Sequence, residues 1–221
     1  MLDRSFSRDE VILALDVLYS TENGKVAADS REMRELSALL NRLPIHPVEN
    51  RRSDFRTAHG IATQLERFGR SLNSGINKDN IGPLFFQIAS EYENKHDELH
   101  LIAEAIRKNE PFYSLQFGNP IEGDCFPEGT LLEHLHRIIE LRDGSRAFLR
   151  DCCEVCALKP TLYYQPCGPI LQQHLLIPPT QLDGQRKYGA GSFITVCPNC
   201  HEALHSYRPW RTRDNILEIL H

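Results

Sequence analysis

"TVCPNCHEALH", residues 195–205, places two cysteines and two histidines in one short stretch. Cys197 and Cys200 have the Cys-x-x-Cys spacing of a metal knuckle, and His201 and His205 follow directly. Such a stretch either staples a small fold around a metal ion or also holds an active site. What the rest of the chain brings to the same place decides between the two.

A second pair of the same spacing, Cys153 and Cys156 in "CEVC", lies upstream. Together the pairs offer the four soft ligands that tetrahedral Zn2+ takes, so the sequence predicts structural zinc at Cys153, Cys156, Cys197 and Cys200. Cys152 is an alternative to Cys153, but only Cys153 gives the knuckle spacing. Cys125 and Cys167 read as packing or surface thiols. Forty residues separate the pairs, far more than in a simple zinc ribbon. Within that interval "PILQQHLLIPP" (169–179) and "SFITV" (192–196) read as strands, and "PNCHEALHSY" (198–207) has helical spacing with Pro209 beyond it.

On that helix His201 and His205 stand at i and i+4, so both imidazoles project from one face and can hold a divalent ion beside the zinc. His174, on the first strand, is a candidate general base. Zinc would tie the strand's flank to the helix start and set His174 opposite the pair. That is a nuclease geometry, with one imidazole to activate water and one ion to stabilise charge on phosphate. A single histidine is more often structural; three around a four-cysteine frame are harder to attribute to packing.

The 221 residues suffice for one large domain or two modest ones, and 41% hydrophobic with 25% charged residues reads as a globular chain. No apolar run approaches a membrane span, and "MLDRSFSRDE" is too charged for a signal peptide, which places the protein in a cytoplasm. A net charge of −5 argues against indiscriminate coating of nucleic acid but leaves room for a local basic patch.

The first 110 residues read mostly as helices. Ser7 and Glu10 form a capping box ahead of "VILALDVLY". "SREMRELSALLNRLP" is a second helix stopped by Pro44, "GIATQLERFGRSL" a third, and the stretch from Pro83 to Asn109 supplies one or two more. Residues 111–128 are rich in Gly, Pro and aromatics and read as a linker. "TLLEHLHRIIELRDGSRAFLR" then opens on Thr130 and Glu133, a second capping box, and reads as a connector helix with Leu131, Leu135, Ile138 and Ile139 inward. His134 and His136 on it read as solvated or packed.

In order and spacing, "CEVC", "LQQHLLIP" and "VCPNCHEALH" resemble an HNH nuclease domain with its ββα-metal finger, and within that superfamily the McrA-type modified-cytosine restriction endonucleases. The likeness extends to "EGTLLEHLHRIIELRDGSRAFL" and, more diffusely, to "LSALLNRLP" and "DFRTAHGIATQLERF". The resemblance implies His174 as general base, His201 and His205 as ligands of a catalytic Mg2+, Mn2+ or other divalent ion, and the four cysteines as structural zinc ligands. Two positions depart from the family pattern. Gln173 stands where a His or Asp that can bind the metal is usual, and Ser192 where the middle Asn is usual.

For DNA contact the window 51–70 holds Arg51, Arg52, Arg56, Arg67 and Arg70 against only Asp54 and Glu66. In a helix over 61–72, Ile61, Leu65, Phe68 and Leu72 share one face, with Thr63, Arg67 and Arg70 about 180° away. An arginine face suits phosphate contact or guanine reading, although a plain solvated helix face would look the same. Phe55, Phe68, Phe85 and Phe86 are candidates for a methyl contact or a pocket for an extruded base. "SYRPWRTR" is a second basic patch, where Arg208, Arg211 and Arg213 surround Trp210, which otherwise caps the small zinc core.

The sequence therefore predicts an α+β protein: a mostly α-helical DNA-reading domain (1–110), a linker and connector helix (111–150), and an HNH nuclease domain (151–221). The expected activity is metal-dependent hydrolysis of duplex DNA carrying modified cytosine, with double-strand cleavage favouring a homodimer. The rivals are a zinc-stabilised DNA-binding module with a decayed nuclease site, and an HNH nuclease indifferent to modification.

Overall fold

The structure, a computed structural model, describes residues 5–21, 26–74, 82–116, 129–144, 150–164 and 170–220. Among them are seven α-helices and one two-stranded sheet, an α+β composition dominated by helix. The chain divides into two compact units, Met1–Leu131 and Leu132–His221. No helix among the described residues is long and apolar enough to cross a membrane.

The first unit is built around α1 (Arg8–Ser20), which is apolar on every side: Val11, Ile12, Leu13, Ala14 and Leu15 are all fully buried. A helix with that pattern has to be wrapped. The elements around it are α2 (Arg31–Arg42), α3 (Ala58–Ser74), α4 (Pro83–Glu91) and α5 (His96–Gln116). The expected capping box forms: Glu10 N–H donates to Ser7 Oγ at 3.3 Å, and Ser7 N–H to Glu10 Oε2 at 2.8 Å. The same buried Glu10 carboxylate pairs with Arg56 at 2.6 Å and lies 3.0 Å from His46. Burial alone would raise its carboxyl; the hydrogen bonds from His46 and Arg56 outweigh that and hold it below its ordinary value. On α3, Ile61, Leu65 and Phe68 are buried while Arg67 and Arg70 are exposed, so the amphipathic reading stands; the Leu72 side chain lies outside the described residues.

Two expectations are corrected here. Residues 111–116 are helical, because α5 runs through Pro111 to Gln116. A proline forfeits one backbone hydrogen bond, but Phe112 and Tyr113 just beyond it are buried, and their burial holds the last turns. Residues 117–128, with Cys125, lie outside the described ones. Thr130, in turn, does not cap α6 (Thr130–Gly144); it is the first helical residue. The open N–H groups of Thr130 and Leu131 donate instead to Asp9 at 3.0 and 3.2 Å, and Glu133 pairs with Arg137. Gly129, at φ +92°, makes that approach possible, since a Cβ there would collide with the Asp9 carboxylate.

In the second unit β1 (Gln172–Leu175) pairs antiparallel with β2 (Phe193–Val196), His174 opposite Ile194, and β2 leads into α7 (Pro198–Ser206). Ile194, Val196 and Leu204 form a small core with Val155, Ile216, Ile219 and three of the four knuckle cysteines. A core of this size needs a further staple.

Candidate metal centres

The four cysteines predicted as ligands come together, their sulfurs all within 4.8 Å of one another, and Cys152 is not among them. One residue bridges the 40-residue gap with both its backbone and its side chain. Glu154, inside the first knuckle, donates its N–H to Thr195 O at 2.8 Å and accepts from Thr195 N–H at 2.7 Å. This pins "CEVC" to β2, whose end carries Cys197. Ala157, at φ +60°, turns the chain so that its N–H reaches Cys153 O, as a knuckle requires. Cys197 is the N-cap of α7, and Cys200 sits in the first turn.

The geometry fits a tetrahedral ion. Cys156 and Cys197 sulfurs are 3.7 Å apart, and a metal–sulfur distance of about 2.3 Å gives a tetrahedral edge of about 3.8 Å. Burial, then the neighbouring Cys197 and Cys156 thiols, push the Cys200 thiol up. Burial also opposes the Cys153 thiolate, but N–H groups of Cys156, Cys197 and Val155 directed at its sulfur bring it below its ordinary value. The four cysteines can hold a structural metal such as zinc.

A second group lies in the same unit. Glu140, His174, His201 and His205 each present one ligand atom, all within 4.8 Å of one another. Glu140 comes from α6, His174 from β1 and the other two from α7. Glu140 Oε1 is 3.0 Å from His174 Nδ1; Oε2 is 3.1 Å from His201 Nε2 and 3.3 Å from His205 Nε2. The side chains of His174 and His205 are 1% and 2% exposed, and His201, at 13%, forms the open edge. Burial drives the His174 imidazole down to about 3, against the opposing pull of Glu140, so the ring is neutral. Burial disfavours the Glu140 carboxylate too, but the neighbouring imidazoles, His136 first and then His174, hold it well below the usual range.

Strand alternation sorts the neighbours. Gln172 and His174 share a face of β1, and Gln172 Oε1 accepts from His201 Nδ1 at 2.5 Å. Gln173 points the other way, its amide donating to Thr195 Oγ1 at 2.9 Å, so it is no member of the group. Ser192 contributes its carbonyl, which accepts from Leu176 N–H. Trp210 is stacked over His174 with ring centres 5.4 Å apart and donates to Leu176 O. It covers the histidine group, not the cysteine core.

Sequence reasoning missed three contributors. Glu140 and His136 lie one turn apart on α6, and "HRIIE" offers no metal-binding signature that would separate them from an ordinary i, i+4 pair. His136, buried, donates from Nε2 to Leu175 O at 3.0 Å. Gln172, an uncharged residue of β1, carries no ligand signature in the sequence.

The arginines divide. Arg51 donates to the carbonyls of Asn41, Leu43 and His46, and Arg56 is bound to buried Glu10, so both are structural. Arg52 and Arg70 make exposed pairs with Asp54 and Glu66, and Arg67 is exposed. Arg208 donates to His205 O and Tyr207 O, Arg211 to Glu218 and Arg213 to Phe193 O. Of the aromatics, Phe68 and Phe85 are core residues packed on each other, which removes them from any base-binding pocket. The cavity of about 550 Å³ in the first unit is lined by Asp16, Glu32, Glu35, Glu104 and Glu110 against Arg42 and Arg107, an environment unsuited to phosphate.

Comparison with protein-family profiles, curated proteins and solved structures finds no match to this chain.

Proposed function

We propose that the second unit is a metal-dependent DNA endonuclease of the HNH, ββα-metal kind, framed by zinc at the four cysteines. What carries the reading is the convergence of His174 on His201 and His205 beside a separate cysteine frame. A unit that needed metal for stability already has it in the four cysteines. A divalent ion bound there would stabilise charge on the phosphate and the leaving oxygen. His201 and His205 would hold it, with His201 on the side open to a substrate. His174 would take the proton from the attacking water, its ring oriented by Trp210 against its face and Glu140 at Nδ1.

The substrate would be duplex DNA carrying 5-methyl- or 5-hydroxymethylcytosine, as the sequence resemblance implies, cut on both strands by a homodimer. Reading would fall to the first unit through exposed Arg52, Arg67 and Arg70. Surface ion pairs such as Arg70–Glu66 are weak enough to exchange for phosphate. The test is incubation with paired methylated and unmethylated plasmids in Mg2+, Mn2+, Zn2+ or no metal. Metal-dependent cleavage of the methylated plasmid alone is expected; equal cleavage of both would leave a nuclease indifferent to modification.

The enclosure of His174 and His205 favours a second reading, a DNA-binding module in which both groups hold structural ions. Failure to cut either plasmid in any metal, with DNA binding retained, would select it.

A further inference from the structure

We infer that Glu140 is a ligand of the second metal ion, completing a three-ligand face of Glu140 Oε2, His201 Nε2 and His205 Nε2. On this inference the other oxygen, Oε1, faces His174 Nδ1 at 3.0 Å and His174 stays outside the coordination shell. The inference deepens the nuclease reading and rests on it for the base role of His174, though the metal site stands on its own geometry.

The three atoms form a nearly equilateral triangle, with edges of 3.1 Å (Oε2 to His201), 3.3 Å (Oε2 to His205) and 3.2 Å (His201 to His205). Metal–ligand distances of about 2.0–2.2 Å, at angles between octahedral and tetrahedral, separate ligand atoms by about 2.8–3.6 Å. The triangle fits that range throughout.

The lone pairs point the same way. Gln172 Oε1 takes the Nδ1 proton of His201, which leaves Nε2 as an acceptor facing a carboxylate oxygen and a second imidazole nitrogen. With His205 in the matching tautomer, three lone pairs converge on one point and a cation among them is the natural occupant; an outer partner that fixes the tautomer is what ligating histidines ordinarily have.

Glu140 Oε1 is occupied differently. Leu175 N–H donates to it at 2.9 Å, and His174 Nδ1 and His136 Nδ1 lie 3.0 and 3.3 Å away. One carboxylate thus faces the ion with one oxygen and the candidate base with the other. It also explains why Gln173 is tolerated: the anionic donor comes from α6, and position 173 is turned to Thr195. Two imidazoles and one carboxylate with further positions open are the donor set of catalytic zinc and non-haem iron sites, so the donors favour a transition-metal ion such as Zn2+, Co2+ or Fe2+ over Mg2+.

The test is Co2+ titration of the full chain with zinc retained at the cysteines, read by cobalt absorption and elemental analysis. Wild type is expected to bind one Zn2+ and one Co2+, the latter undisplaced by excess Mg2+. Glu140→Gln should lose the Co2+ and keep the Zn2+, which also reports that the cysteine frame is folded. Gln172→Ala should weaken Co2+ by about ten- to a hundredfold, and Gln173→Ala should leave it unchanged. X-ray absorption at the cobalt edge of wild type needs no variant; two imidazoles plus oxygen are expected. A shell with three imidazoles, or Glu140→Gln binding Co2+ as tightly as wild type, would overturn the inference. Co2+ bound as described with no cleavage in any metal would uphold the site and remove the nuclease reading.

Discussion

Cys153, Cys156, Cys197 and Cys200 were legible before any fold was known, because Cys-x-x-Cys spacing is local and the chemistry of four thiolates is restrictive. His201 and His205 were legible for the same reason, as a helical i, i+4 pair. Glu140 was not. It lies 61 residues from His201, on a helix where Glu133 and His134 are just as polar, and only the packing of α6 on β1 brings it into the group. The cysteine group carries a residue-scale prediction. Cys153→Ser or Cys200→Ser should unfold the second unit, since a core this small draws its stability from the ion. Removing metal with a strong chelator should do the same while the first unit stays helical. Elemental analysis and circular dichroism check both, and well-folded protein without zinc would refute the assignment.

Helices α1 and α6 show what elements add to residues. The capping box of α1 was readable from Ser7 and Glu10, whereas the cap of α6 comes from Asp9, 121 residues earlier in the chain. No local pattern announces a cap from that distance. Burial raises the Asp9 carboxyl to about 6 even though Thr130 and Leu131 donate to it. With a folded pKa above the unfolded value of about 4, the folded state holds the extra proton. The stabilising contribution is therefore full below about pH 4 and is lost as the pH rises through about 6. The stability gap between wild type and Asp9→Asn should shrink by ~2–3 kcal/mol from pH 4 to 7, by denaturant melts; a constant gap would contradict the placement. Gly129→Ala should cost roughly 1–3 kcal/mol, from a left-handed backbone and a collision with the same carboxylate.

For the whole molecule, the two-part plan was visible in the change of composition after residue 150, but the dividing point was not. The first unit continues to Leu131, because α5 passes through Pro111 and Asp9 needs the N–H groups of Thr130 and Leu131. A fragment of residues 1–131 is therefore the piece expected to bind methylated duplex more tightly than unmethylated duplex. Arg67→Ala or Arg70→Ala should weaken it by ~1–3 kcal/mol if a base edge is contacted, measured by fluorescence anisotropy. Arg51→Ala and Arg56→Ala should instead lower the melting temperature, since their donors bind carbonyls and Glu10 inside the unit. Equal affinity for both duplexes would move the reader elsewhere. In the proposed mechanism His174 works as a base beside a metal ion. The most direct test is single-turnover cleavage of a modified duplex by wild type and by His174→Ala, both loaded with zinc and the second ion. Cleavage should vanish in the variant while DNA affinity and both ions are retained. Cleavage by His174→Ala at the wild-type rate would contradict the mechanism.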